Sequence, residues 1–68
     1  MKYRVIIEQD EEGFFIAEVP HLPGCISQGK TYSEAMENIK DAVSGYLESL
    51  KKHNEPAPPP ITEAFIEV

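Results

Sequence analysis

The chain has 68 residues, with 12 acidic and 6 basic side chains and a formal net charge of −6. A domain this small buries only about 60% of its unfolded surface, so we expect self-association to supply a shared core. The negative charge disfavours direct nucleic-acid binding, and a single cysteine without a disulfide partner favours the cytoplasm. The N-terminus MKYRVIIEQD predicts neither a signal peptide nor a membrane span, because Glu8 ends its short apolar run.

Three antiparallel strands are predicted in the first half of the chain. Alternating side chains in KYRVIIE indicate a half-buried strand over about 2–8. The polar turn QDEEG then leads into FFIAEV, a returning strand over 14–19 that is rich in aromatic and β-branched residues. A shorter strand over 25–28 follows the turn PHLPG. The face of the first strand that we expect to pack on the helix carries Tyr3, Val5 and Ile7.

A long helix is predicted over about 32–53. Thr31 and Glu34 have the spacing of a capping box, in which each side chain satisfies the other residue's exposed backbone N–H. Gly45 is an unfavourable residue inside a helix. We favour a tolerated glycine on the surface over a glycine that lets another backbone segment approach closely. Apolar residues recur every three or four positions and share one stripe: Tyr32, Ala35, Met36, Ile39, Ala42, Val43, Tyr46, Leu47 and Leu50.

The end of the chain predicts a linker and a fourth strand. The prolines of EPAPPP make the linker over 54–60 extended, either as a stiff connector or as a proline-rich ligand for an aromatic groove. The alternation in ITEAFIEV predicts a strand over about 61–67, parallel to the first strand, in spatial order 3-2-1-4. We therefore expect one α+β domain over 1–68, with β-β-β-α-β order and one helix on one face of the sheet.

The stretch VPHLPGCISQG is interpreted as a shaped turn that leads into a short strand. Prolines restrict the loop, Gly24 supplies freedom in φ, and Gly29 lets the chain bend into the helix. A catalytic pair of His21 and Cys25 is disfavoured, because a Pro-Gly turn separates them and acidic neighbours raise the pKa of a thiol. The residues of this loop motif are Pro20, Leu22, Pro23, Gly24, Cys25 and Gly29.

Other kinds of chemistry receive little support from the sequence. His21 and Cys25 are too few donors for a metal site, and no phosphate loop or serine elbow occurs. We therefore expect no enzyme activity, no metal and no cofactor. Residual hydrolase activity is a third hypothesis, and it predicts that replacing Asp10, Glu11 or His21 abolishes a measurable turnover.

Several features together resemble the HicB family of bacterial and archaeal antitoxins. They are an acidic turn before Gly13, the P-x-L-P-G-C run from Pro20 to Cys25, the glycine and threonine before the helix, and a Glu34-Ala35 pair. The resemblance covers residues 1–50 and the proline-rich linker. It implies a partial RNase H-like fold without nuclease activity.

The resemblance also implies a partner. HicB antitoxins bind HicA, a small basic toxin that cleaves messenger RNA, and cover its RNA-facing surface or catalytic histidine. An acidic chain suits such a partner, because complementary fields raise the association rate. The candidate contact residues are the acids of the first turn, Asp10, Glu11 and Glu12, although a turn kept polar for solubility is an equal alternative.

Many HicB antitoxins continue into a DNA-binding module, whereas this chain stops at Val68, so we expect a short form without direct operator binding. The leading hypothesis is a cytoplasmic antitoxin that neutralises a HicA-type toxin and forms a dimer or tetramer. The alternative is an orphan protein-interaction or regulatory module without a toxin partner. The edge of the fourth strand and the open face of the sheet are candidate surfaces for self-association.

Overall fold

A computed structural model describes residues 2–57 and 64–68, with three short strands and one long helix. The elements are β1 (Ile6–Gln9), β2 (Phe15–Glu18), β3 (Ile26–Gly29) and α1 (Tyr32–Lys52). The sheet order is β1-β2-β3, and both neighbouring pairs are antiparallel. The predicted α+β class, the three antiparallel strands and the long helix are confirmed.

The first strand begins later than predicted, at Ile6. Ile6 pairs with Glu18, the last residue of β2. Beyond that point the chain turns, and the backbone N–H of Val19 donates to the carbonyl of Cys25 at 3.0 Å. The segment before Ile6 therefore extends past the end of its neighbouring strand, and pairing stops there.

The predicted fourth strand is absent from the residues that the structure describes. Residues 64–68 have no regular secondary structure and are exposed, while 58–63 lie outside the described part of the chain. Alternating side chains predict a strand, but a strand forms only where a neighbouring edge satisfies its backbone N–H and C=O groups. No strand of the described sheet pairs with 64–68, so β1 is an edge strand there and the predicted order 3-2-1-4 is not observed.

The core lies between the sheet and α1. The register pairs Ile7 with Ala17 and Phe15 with Gly29, and it directs these residues toward the helix. The half-buried side chains of Tyr3, Val5 and Ile7 pack on the core from the β1 side, as the alternation predicts. The buried hydrophobic residues are Ala17, Val19, Leu22, Cys25, Ala35 and Ile39.

Two side-chain hydrogen bonds fix the N-terminus of α1, but they are not the reciprocal pair of a capping box. The hydroxyl of Thr31 accepts the backbone N–H of Glu34 at 3.1 Å. The Glu34 carboxylate accepts the N–H of Lys30 at 3.0 Å, one residue before the position that a capping box predicts. Further along the helix, the side-chain amide of Asn38 donates to the carbonyl of Gln28 at 2.7 Å, which ties α1 to β3.

Gly45 lies on the exposed side of α1, where an added Cβ would meet no atom within 4 Å. This geometry confirms the interpretation of a tolerated surface glycine. Gly45→Ala is expected to raise the free energy of unfolding by about 0.5–1 kcal/mol, because alanine is the better helix former. Urea denaturation checks it: the midpoint should rise with an unchanged m-value, and a lower midpoint would contradict the open geometry.

Candidate protein-binding surface

The turn between β1 and β2 is organised by the carboxylate of Asp10. One oxygen, Oδ1, accepts the backbone N–H of Glu12 at 2.9 Å and that of Phe14 at 2.8 Å. The backbone N–H of Asp10 also donates to the carbonyl of Phe14 at 2.8 Å. Gly13 closes the turn with a φ of 92°, a conformation that favours glycine. Asp10 therefore has a structural role within the turn.

Glu11 and Glu12 lie at the exposed tip of the same turn. Their carboxylates make no hydrogen bond within residues 2–57 and 64–68. The structure thus separates one predicted contact residue, which builds the turn, from two whose carboxylates face solvent. Contact between these residues and a partner stays a prediction.

The sheet face opposite α1 combines apolar and acidic side chains, and we call it the open face. Directly paired residues of antiparallel strands project to the same side of a sheet, so the register defines its composition. Ile26 is 55% exposed on this face. The two cross-strand rows are Ile6, Glu18 and Ile26 in one, and Glu8, Ile16 and Gln28 in the other.

Such a surface is chemically suited to a basic protein partner. Its isoleucines offer apolar area for burial, while Glu8 and Glu18 offer carboxylates to cationic side chains. These glutamates were not among the contact residues predicted from the sequence. The alternation within each strand indicates which residues share a face. Only the register of the three strands shows that the acids of β1 and β2 lie among isoleucines from all three.

The loop between β2 and β3 contributes to the core rather than to an exposed site. Leu22 is 0% exposed, and Cys25 is 3% exposed. The N–H of Leu22 donates to the carbonyl of Val19, and the N–H of Cys25 donates to the carbonyl of Leu22, each at 3.0 Å. Gly24 adopts a φ of 82°, in the left-handed region that glycine occupies most readily. Pro20 is half-buried and Pro23 is exposed on the same loop.

The environment of Cys25 makes it a poor nucleophile. Burial raises the pKa of the Cys25 thiol, so the reactive thiolate is disfavoured. The ring of His21 instead packs edge-on against Tyr3, with 5.6 Å between ring centroids. Among the described residues, no three His, Cys, Asp or Glu side chains form a group that could hold a metal ion. In the same part of the chain, no helix is long and apolar enough to cross a bilayer.

An acidic α+β domain with an apolar and acidic sheet face has the features of a protein-binding module. The chain belongs to the HicB-like antitoxin family, because residues 3–66 match the family model described as HicB_like antitoxin of bacterial toxin-antitoxin system. This match confirms the resemblance seen in the sequence.

Individual relatives agree with the family match. A UPF0150 protein of Thermoplasma acidophilum is 60% identical over 58 residues, which cover 85% of this chain and 84% of that protein. A UPF0150 protein of Archaeoglobus fulgidus is 47% identical over 55 residues, covering 81% of this chain and 78% of its own length. Antitoxin HicB 1 of Photorhabdus laumondii is 34% identical over 70 residues, covering 100% of this chain and 45% of that antitoxin.

Proposed function

We propose that this chain neutralises a small basic HicA-type toxin that cleaves messenger RNA, by covering the toxin's RNA-binding or catalytic surface. The observation that carries this proposal is the match of residues 3–66 to an antitoxin family of toxin-antitoxin systems. The chain acts in the cytoplasm as a binding protein without a cofactor, and its fold is a partial RNase H-like arrangement without nuclease activity. The net charge of −6 supports a basic partner.

The proposed contact surface joins the acidic turn to the open face. Glu11 and Glu12 extend from the turn that follows β1, and Glu8 lies on the open face near the end of that strand. Exposed carboxylates attract a cationic protein over distance and raise the association rate. The isoleucines of the open face supply apolar area, which contributes most of the affinity when it is fully buried.

Affinity co-purification of the full chain from its native host tests the proposal. At low ionic strength we expect one small basic protein in stoichiometric amount, identified by intact-mass spectrometry. Added salt should release it, because the Debye length falls from about 30 Å at 0.01 M to about 3 Å at 1 M. Recovery without any small basic protein would contradict toxin inhibition.

The alternative is an orphan HicB-like module that regulates another protein and has no toxin partner. It is supported by the chain lengths, because the chain spans 84% of the Thermoplasma UPF0150 protein but only 45% of the Photorhabdus antitoxin. Gene neighbourhood separates the two proposals, since an antitoxin gene should lie beside a reading frame for a short basic protein.

Charge reversal at the turn is expected to slow association with the basic partner. Glu11→Lys combined with Glu12→Lys replaces attraction by repulsion at the proposed contact, and we expect an association rate about 10-fold lower at low salt. Asp10 is kept because its carboxylate holds the turn. Surface-immobilised binding measurements against the co-purified basic protein give the rate.

The matched control for this variant is Asp41→Lys combined with Glu48→Lys. Both residues are exposed on α1, and the control changes the net charge by the same amount as the turn variant. We expect a clearly smaller loss in association rate from the control. Equal losses would show that net charge alone matters and would contradict a contact at the turn.

A further inference from the structure

Glu18 is the acidic residue at the centre of one row of the open face, and isoleucines from all three strands flank it. It lies on β2, the middle strand of the sheet. The register pairs it with Ile6 on one side and with Ile26 on the other. Ile16 precedes it by two positions on the same strand and therefore projects to the same side. A single carboxylate thus lies within an aliphatic surface.

This carboxylate has no partner among the side chains that could pair with it in residues 2–57 and 64–68. Glu18 is exposed, so water hydrates its charge in the isolated chain. A partner that buries the neighbouring isoleucines also removes that water. Because an unpaired carboxylate under an apolar contact is costly, such a partner has to bring a cation to this position.

A small cleft of about 70 Å³ lies beside Glu18 on the open face, lined by Ile6, Glu8, Ile16 and Glu18. Glu8 and Glu18 are diagonal neighbours, because Glu8 pairs with Ile16 and Glu18 pairs with Ile6. Diagonal neighbours on one face are within reach of long side chains. The volume is far below the roughly 300 Å³ of a small-molecule pocket, so the cleft suits one side chain of a protein partner.

We propose that this cleft accepts the guanidinium group of one arginine of the basic partner, between the carboxylates of Glu8 and Glu18. We call the four lining residues the arginine site. A guanidinium is planar and carries N–H donors along its edges, so it can donate to a carboxylate on each side. It is weakly hydrated and packs well on aliphatic side chains, here Ile6 and Ile16. The ammonium group of lysine is strongly hydrated and would lose that water against the isoleucines.

A second copy of this chain is a poorer occupant of the open face. The two described rows of that face consist of isoleucines, glutamates and a glutamine, without a cation. A second copy stacked on these rows would bring more carboxylates toward Glu18 and would leave it unpaired. The inference rests on the proposed function, the binding of a basic partner, and it adds the chemical group that the partner presents.

Neutralising Glu18 tests the arginine site in the complex. Glu18→Gln keeps the size of the side chain and removes its charge. We expect the dissociation constant for the co-purified basic protein to rise at least about 30-fold by isothermal titration calorimetry. Glu48→Gln is the matched control, because it makes the same change at an exposed position of α1, and it should alter the constant by less than about 3-fold. Equal effects of the two variants would overturn the site.

Two synthetic peptides test the preference for arginine with the full chain alone. One peptide alternates arginine with threonine, and the other has lysine at every arginine position. At an ionic strength of about 0.15 M, we expect the arginine peptide to bind at least about 5-fold more tightly and to shift the NMR methyl signals of Ile6 and Ile16. Equal binding of the two peptides, or binding that leaves both methyl signals in place, would overturn the arginine site.

The same two variants locate the peptide preference on the chain. Glu18→Gln should abolish the difference between the two peptides, because only one carboxylate then remains in the cleft. Glu48→Gln should keep the difference, since its position on α1 is remote from the open face. A preference for arginine that survives Glu18→Gln would overturn the assignment to this cleft.

The peptide test is independent of the proposed toxin inhibition, because it uses neither a toxin nor RNA. If this chain inhibits RNA cleavage by the recovered protein while both peptides bind equally, the inhibitor proposal is supported and the arginine site is overturned. If the arginine peptide is preferred through Glu18 while cleavage is unaffected, the site is supported and the inhibitor proposal is contradicted.

Discussion

Gly29→Ala is expected to lower the free energy of unfolding by about 3 kcal/mol. A Cβ at this position would lie 2.5 Å from the backbone nitrogen of Ala35 and 2.8 Å from the carbonyl carbon of Glu34. Overpacking costs typically about 1–3 kcal/mol, and backbone atoms cannot rotate away as a side chain can. The first turn of α1 would have to move off β3, which would disturb the hydrogen bond that Thr31 makes at the helix start.

Chemical denaturation measures this effect, and Gly45→Ala is the control. The two variants make the same chemical change in the same small domain, yet their predicted effects have opposite signs. A domain of this size has a total stability of only about 3–10 kcal/mol, so Gly29→Ala should also unfold at a clearly lower temperature. A change of less than about 0.5 kcal/mol would contradict the close contact between β3 and α1.

Leu22→Ala is expected to lower the free energy of unfolding by about 3 kcal/mol or more. Leu22 is 0% exposed and belongs to the core cluster with Val19, Cys25, Ala35 and Ile39. Its removal leaves a cavity that the loop cannot readily fill, because hydrogen bonds from Leu22 and Cys25 fix the local backbone. The loop would then lose its contribution to the core.

Ile26→Ala serves as the control for Leu22→Ala. Ile26 is also aliphatic, but it is 55% exposed on the open face. We expect Ile26→Ala to lower the free energy of unfolding by about 1 kcal/mol or less, because this substitution removes much less buried apolar area. Thermal unfolding followed by circular dichroism compares the two variants. Similar losses from both would contradict the assignment of Leu22 to the core.

Local sequence signals predicted the hairpin and the helix. The face of β1 that packs on the core follows from the alternation of Tyr3, Val5 and Ile7. The helix start follows from Thr31, whose hydroxyl accepts the N–H three residues later. These features depend on neighbours close in the chain, so a single sequence carries enough information to place them.

Features that depend on distant contacts were not predicted. The role assigned to Gly29 was a bend, but its φ is not left-handed, and its importance lies in the space that α1 requires. The alternation after residue 60 predicted a strand in the same sheet, yet the described residues 64–68 pair with no strand there. Alternation identifies a segment able to form a strand, but it does not identify the edge that the segment joins.

The candidate surface was predicted only in part. The acidic turn was visible as consecutive acids, but the sequence did not show that Asp10 holds the turn while Glu11 and Glu12 face solvent. The open face was a candidate surface for self-association, but its glutamates were not identified, because its rows combine residues from three strands. Recognising these rows requires the register of the strands, which the structure shows.

The most direct test of the central claim is a titration of messenger RNA cleavage. The small basic protein recovered with this chain cleaves a messenger RNA substrate while increasing amounts of the full chain are added. Our account predicts that the initial rate of cleavage falls in proportion to added chain and is abolished at a fixed stoichiometric ratio. If the chain binds the basic protein and the rate of cleavage stays unchanged at saturation, the proposal that it is an inhibitor is contradicted.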